Sequence, residues 1–375
     1  MVHERVVAGH PENGEPRMSV NRLVLVAMLA AVACHPGKAD RYSRKQAQKS
    51  IQKLETPGLV IGEFRVTKIT DGDTIRVDGL DSSLRLLGLD TEETFKSEDD
   101  RRMFEAGWQD YMKKKRGDKP RPVKYPTPLG EDAKHFADKF IGSADKVRLE
   151  RDHPAEIRDA YQRYLAYVFV NKNGTWLNYN VEAVRAGMGP YFPKYGNSRR
   201  FHDEFVAAQE EAKAAKRGIW APGVMAYPDY DERIPWWSAR GNFVDSFRKE
   251  GEGKTNYIDI SHWDATKRLE ELVGKEVNVL GIIGDVRIAD RGPARVLLSR
   301  QQFSDFPLIF FDRDVLTQSG VMVWKGEYIW VTGVPSFYEN RHTKKKQVQI
   351  VIDRASQIRL SPVPGLQIPS STPAP

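Results

Sequence analysis

A chain of 375 residues, 40% of them apolar and eight of them tryptophan, has room for two folded domains with tails, which excludes wholesale disorder. Its 58 basic against 51 acidic residues give a net charge of +7 and a pI near 9.2, a balance that favours polyanions, nucleic acid or anionic membrane alike. The single cysteine, Cys34, excludes an intramolecular disulfide.

Leu23 to Ala33 is an apolar run that follows Asn21-Arg22 and ends in small residues. At about eleven residues it is too short to span a bilayer as a helix but suits the hydrophobic region of an export signal. Ala31-Val32-Ala33 fits a small-x-small cleavage site, and Met18 is an alternative start. Followed by Cys34, the segment is similar to a bacterial lipoprotein signal, although Ala31 stands where leucine is more usual; Cys34 would then carry the lipid and attach the chain to a membrane. Residues 1–34 are read as this signal, so the protein is expected to be exported, in the cell envelope or secreted. The alternative is a buried apolar helix. Residues 35–56, polar and basic, read as a tether.

Glu63 to Thr70 and Thr74 to Val77 are strand-like around the turn signal Asp71-Gly72, and Asp78-Gly79 marks a second turn before Leu84 to Leu89. This is an antiparallel meander. Helical periodicity covers Glu131 to Ile141, Leu177 to Met188 and Ser198 to Lys216, with strand-like Val147 to Glu150 and Leu165 to Val170 after the first of these. The expected class is mainly β with helices. A five-stranded barrel with three helices occupies 57–222, a linker 223–256, a second small β-barrel 257–360, and a disordered tail 361–375. The second barrel rests on strand-like Glu276 to Ile283, Ala294 to Leu298, Leu308 to Phe311, Tyr328 to Val334 and Gln347 to Ile352, whose patterns look like OB-fold strands.

Asp71-Gly72-Asp73-Thr74 taken alone reads as a hairpin turn. Asp90, however, closes the next strand of the meander, so the carboxylates of Asp73 and Asp90 meet at one end of the barrel. Two carboxylates brought together repel unless a cation lies between them, and an oxygen-only set selects Ca²⁺ or Mg²⁺ over zinc. Arg85 lies on the strand that leads to Asp90, and a guanidinium grips phosphate oxygens in a way lysine cannot. Each of these residues has a plain alternative as a surface or structural ion pair.

In type, order and approximate spacing, Asp71-Gly72-Asp73-Thr74, Arg85-Leu86-Leu87-Gly88-Leu89-Asp90-Thr91-Glu92-Glu93-Thr94 and Asp159-Ala160-Tyr161-Gln162-Arg163-Tyr164-Leu165-Ala166-Tyr167 resemble the staphylococcal nuclease family from about Gly62 to Trp220. The resemblance implies an OB-type barrel, Ca²⁺ held by Asp73, Asp90 and the Thr91 carbonyl, Arg85 and Arg163 as transition-state arginines, and Glu93 acting on the attacking water. It also implies that tyrosines around Tyr161, Tyr191 and Tyr195 bind substrate. Two departures stand out. Glu92 replaces the usual proline, which loosens the loop carrying Glu93. An insertion between Thr94 and Gly130 adds Lys113, Lys114, Lys115 and further cations among aromatics, which suit a single strand; a solvated loop is the alternative. The histidines are scattered and receive no chemistry.

The expected function is that of an exported Ca²⁺-dependent endonuclease acting on DNA and RNA, single-stranded or locally melted by preference, that leaves 3′-phosphate ends. The alternative is a non-catalytic nucleic-acid-binding barrel protein of the cell envelope.

Overall fold

A computed structural model describes residues 58–364 other than 120, 143, 145, 300–304 and 340–343. The export signal with Cys34, the tether and most of the proline-rich tail lie outside them. The described residues fall within one compact unit.

The first sheet contains β1 (Val60–Phe64), β2 (Val66–Asp71), β3 (Thr74–Val77), β4 (Leu84–Leu86), β6 (Val147–Glu150), β7 (Tyr164–Lys172) and β8 (Thr175–Asn178); β5 (Gly88–Leu89) pairs apart with β9 (Tyr191–Phe192). Its order is β1-β6-β7-β4-β3-β2, with β8 beside β7. The expected third strand is interrupted at Gly88, whose φ of 72° is left-handed and where a Cβ would stand 2.5 Å from the Phe205 ring. The ladder is open. Its two edges, β1 and β2, are consecutive in the chain and separated by Arg65 alone, so the sheet curls without a closing pair.

Alternating apolar residues build the core: Ile75, Leu84, Leu89, Val147, Leu149, Val168 and Val170 are all essentially inaccessible. The helices α3 (Pro128–Ile141), α4 (Tyr179–Arg185) and α5 (His202–Ala214) match the three helical periodicities. Thr127 caps α3 by accepting from the Gly130 N–H, and Pro128 opens it.

Two features of this half differ from the sequence reading. The insertion is not a loop: it folds as α1 (Glu98–Ala106) and α2 (Trp108–Arg116). Ser97 caps α1, three acidic residues occupy its first turn, and Lys113 to Arg116 form the last turn of α2, where cations complement the helix dipole. Tyr111, Tyr125, Tyr227 and Tyr230 form a buried aromatic cluster with Trp108 and Phe104 packed on it. The expected linker is mostly α6 (Tyr230–Glu250), a 21-residue helix. Its inward face mixes Arg233, Trp237, Arg240, Val244 and Phe247, and the buried arginines conceal its period from an apolar count.

The second sheet has the order β15-β16-β13-β12-β11-β14-β17, with β10 on β11: β10 (Tyr257–Asp259), β11 (Val277–Arg287), β12 (Ala294–Ser299), β13 (Phe306–Phe310), β14 (Tyr328–Gly333), β15 (Pro335–Glu339), β16 (Lys346–Val351) and β17 (Ile358–Leu360). Short helices α7 (Ala265–Glu271) and α8 (Arg313–Gln318) complete it. This ladder is also open, and β13–β16 and β10–β11 pair in parallel.

Helix α6 joins the two sheets. Arg240 and Arg121 both donate to the buried Glu327 carboxylate, as does the Trp236 indole. Arg248 donates to the Tyr195 carbonyl at 2.7 Å and to Glu156 at 3.1 Å, while Phe247 meets Trp330 edge-on. A buried carboxylate satisfied by several charged donors costs little to keep and much to break.

Candidate active site

The β2–β3 turn carries Asp73, and the register Thr74↔Arg85 between β3 and β4 sets Arg85 beside it. The Arg85 guanidinium donates from Nη1 to Asp73 Oδ2 and from Nη2 to Asp90 Oδ1, all three side chains being buried. Asp73 Oδ1 accepts from the Thr74 hydroxyl at 2.9 Å, and the Thr91 N–H lies 3.3 Å from Asp73 Oδ2. Burial would raise the Asp73 carboxyl, but the Arg85 guanidinium and Lys124 ammonium outweigh it and hold it well below the usual carboxylate range. The structure thus gathers Asp73, Arg85, Asp90 and Thr91.

Glu93 follows on the next loop, and its backbone is held from below. The Thr127 N–H donates to the Glu93 carbonyl at 3.1 Å, and Gly130 lies so close that a Cβ would stand 2.0 Å from that oxygen. The half-exposed carboxylate pairs with Lys96 at 3.2 Å and lies 3.8 Å from Lys124. Lys124, contributed by the insertion, reaches Asp90 at 2.6 Å.

Glu92 does not loosen this loop. Its carboxylate is 1% exposed and accepts from the Tyr227 N–H at 2.7 Å, the Tyr230 hydroxyl at 2.8 Å and the Thr127 hydroxyl. Burial pushes its pKa up, and these donors pull against that. Two of these partners come from α6 (Tyr230) and the residues just before it (Tyr227), and the third, Thr127, caps α3, so Glu92 ties the loop that carries Glu93 to the segment beyond residue 222.

Arg163 reaches the same end of the sheet through the parallel register Arg85↔Leu165. Its guanidinium is held by Asp159, with Nε at 2.9 Å and Nη2 at 2.7 Å from Oδ2, and no hydrogen bond among the described residues joins it to Asp73, Asp90 or Glu93. Tyr161 stands 75% exposed beside Arg163. Tyr195 is half-buried, its hydroxyl 3.4 Å from Asp159 Oδ2.

Several residues expected at the substrate have protein partners of their own. Tyr191 is a packing residue: it stacks on Phe205 at 4.8 Å, and its hydroxyl accepts the Ser198 N–H. Lys115 is ion-paired to Asp100. The aromatics of the insertion, Trp108, Tyr111 and Tyr125, are core rather than stacking platforms, since apolar rings on a helix face gain more by burial against α6 than by waiting in water. Lys113 and Lys114 are exposed on α2.

Residues that sequence reasoning passed over also converge here. Asp71, the first residue of the quoted turn, is buried, and its Oδ1 has no hydrogen-bond partner among the described residues. Burial first, and then the neighbouring Asp73, push its pKa up to about 6. An orphaned buried carboxylate oxygen beside Asp73 and Asp90, all hard oxygen donors, fits a hard divalent cation. Elsewhere, His153, Glu156 and His262 offer ligand atoms within 4.8 Å of one another, a grouping that their separation in sequence conceals. Glu156 is already paired with Arg248 at 3.1 Å and Arg199 at 3.5 Å, and His153 Nδ1 accepts the Ala155 N–H, whereas His262 Nε2, 3.7 Å from Glu156, has no hydrogen-bond partner among the described residues.

A family model described as staphylococcal nuclease homologue matches residues 83–222. An uncharacterized protein of Methanocaldococcus jannaschii is 33% identical over 158 residues, covering 42% of this chain and 70% of that protein. A thermonuclease of Staphylococcus intermedius is 30% identical over 161 residues, covering 42% and 75%. The chain belongs to the staphylococcal nuclease family. The endonuclease YncB of Bacillus subtilis is 29% identical over 153 residues, 40% of this chain and 58% of that protein. The family-matched segment ends before α6 and the second sheet, so Tyr227, Tyr230 and Arg240 are additions to the family region.

Proposed function

We infer that this protein is an exported, metal-dependent endonuclease that hydrolyses phosphodiester bonds of DNA and RNA. The observation that carries the reading is the convergence of Arg85 on Asp73 and Asp90, with Glu93 braced on the adjoining loop. Relatives named thermonuclease and endonuclease support it.

Asp73, Asp90 and the Thr91 carbonyl would hold the cation, with Asp71 beside them; Ca²⁺ is the ion proposed. When bound, that ion supplies Lewis-acid polarisation of a phosphoryl oxygen and charge neutralisation. Glu93 takes the proton of the attacking water at its carboxylate, which is half-exposed and thus reachable by water. Arg85, already forked between two carboxylates, turns one N–H edge to the equatorial phosphoryl oxygens as charge builds there. Arg163 donates as well, and Asp159 fixes its rotamer. Release of the 5′ oxygen leaves a 3′-phosphate. The contacts go to phosphate rather than to base edges, so base preference is weak.

The basic balance of the chain and the exposed Tyr161 support a nucleic-acid substrate, single-stranded or locally melted. The apolar run ending at Cys34 supports export, with lipid attachment as its anchor. The deciding experiment incubates the purified protein with single-stranded DNA, duplex DNA and RNA in Ca²⁺ and then in chelator, with end-group analysis. Hydrolysis only with the ion, yielding 3′-phosphate ends, is expected. Binding without cleavage would leave the chain a nucleic-acid-binding protein.

A further inference from the structure

A cavity of about 450 Å³ lies between the catalytic end of the first sheet and the second sheet, within the roughly 300–1,000 Å³ range of small-molecule sites. Asp90, Asp159 and Tyr161 line its near side, so it opens directly on the catalytic carboxylates. Its far wall is Trp236, Trp237, Ile282 and Tyr328, from α6, β11 and β14, and none of these lies in the family-matched segment 83–222. Three lysines border it. Lys124 and Lys325 already have carboxylates, Asp90 at 2.6 Å and Asp285 at 3.3 Å. The Lys194 ammonium has none among the described residues; it lies over the Tyr195 ring at 5.4 Å. Burial, and then the nearby Arg85, pull its pKa down to about 7. A desolvated ammonium without a counter-ion, facing a mostly apolar chamber beside a phosphodiesterase centre, is matched by a ligand with an anionic end and a flat apolar body.

We propose that this cavity binds one unstacked nucleotide of a single strand next to the scissile phosphate, its base against the wall of α6 and β11 and its phosphate on Lys194. The proposal rests on the reading of the chain as a nuclease and adds to it a base-holding chamber built by the second sheet. A chamber with room for a single nucleotide admits a flipped-out or single-stranded base and rejects a stacked pair.

The test uses the full protein as wild type, Lys194→Met and Ile282→Trp, the second variant filling the chamber from β11. Three readouts are taken: KM and kcat on a single-stranded oligonucleotide, kcat/KM on methyl p-nitrophenyl phosphate, and calorimetric binding of thymidine 5′-monophosphate. Both variants should raise KM for the oligonucleotide about tenfold or more, the value of one stacked base, and should lose thymidine monophosphate binding. Turnover of methyl p-nitrophenyl phosphate, a diester too small to reach the wall, should stay within about twofold. An unchanged oligonucleotide KM in both variants, or an equal loss on the two substrates, overturns the proposal. A wild type that cleaves neither substrate overturns the nuclease reading. Calorimetry then decides the cavity alone: binding to wild type but not to Ile282→Trp upholds it, and equal or absent binding overturns it.

Discussion

Replacing Glu92 by alanine probes the device by which this chain braces the loop that carries Glu93. The side chain removed is 1% exposed and accepts three hydrogen bonds, from the Tyr227 N–H, the Tyr230 hydroxyl and the Thr127 hydroxyl. Tyr227 and Tyr230 are themselves buried, so the two donors on Oε1 lose their partner with no water to replace it. Each buried donor left unsatisfied costs about 1–3 kcal/mol, and the removed methylenes leave a further void, while relief of a desolvated carboxylate offsets part of the loss. The net cost is about 3–5 kcal/mol, comparable to breaking a buried charged network from one side. At roughly 2–4 °C per kcal/mol for a chain of this size, Tm should fall by about 10 °C. Glu92→Gln keeps an oxygen for Tyr227 and Tyr230, and the Thr127 hydroxyl can rotate away, so it should cost only about 1 kcal/mol. Thermal melts followed by circular dichroism, with urea titrations, give both values. The alanine variant should also lower kcat, because Thr127 anchors Glu93 as well as Glu92. Equal melting of the alanine and glutamine variants, or an alanine variant within about 2 °C of wild type, would refute the reasoning.

Arg85→Lys and Arg163→Lys should each lower kcat/KM on DNA by about 10²-fold or more, since an ammonium cannot present the planar fork; a wild-type rate in either variant makes that arginine structural. Lys194 titrates in the folded protein near 7, below the ordinary lysine range, so the unfolded chain binds more protons above pH 7 and stability rises with pH there; below pH 7 the desolvated charge is carried at full cost. Lys194→Met should therefore raise Tm at pH 6 more than at pH 9, and the same gain at both pH values would show that Lys194 is not desolvated. Tyr111→Ala should destabilise the fold by about 3–5 kcal/mol, as for other large buried aromatics, whereas Lys113→Ala with Lys114→Ala should leave stability unchanged in the same urea titration.

The sheet of the nuclease region was legible because its signals are local. Asp-Gly turns set the hairpins, and alternation marked Thr74–Val77 and Val147–Glu150, although Glu150 is buried beside Leu149 and breaks the pattern. The convergence of Asp73 and Asp90, which Arg85 bridges, was legible for the same reason, since a meander brings neighbouring strands together. What escaped was non-local. The insertion reads as polar because its helices carry only one fully buried residue, Tyr111, and their order depends on α6 more than a hundred residues later. Helix α6 escaped because arginines occupy its inward face, satisfied by Glu327 and Asp229. Glu92 reads as a weakened loop until Tyr227 and Tyr230 arrive to bond it. The open ladder of the first sheet traces to β1 and β2, an apparent single strand that breaks at Arg65 and sends its halves to opposite edges.

We propose that Glu93, presented beside Asp73, Arg85 and Asp90, takes the proton of the attacking water. The most direct measurement compares wild type and Glu93→Gln on a fluorogenic single-stranded DNA in Ca²⁺, alongside equilibrium binding of the same strand. The amide keeps the shape of the side chain and removes its basicity, so kcat should fall by about 10²-fold or more while strand affinity stays within about twofold. Turnover by Glu93→Gln within a few-fold of wild type would contradict the account.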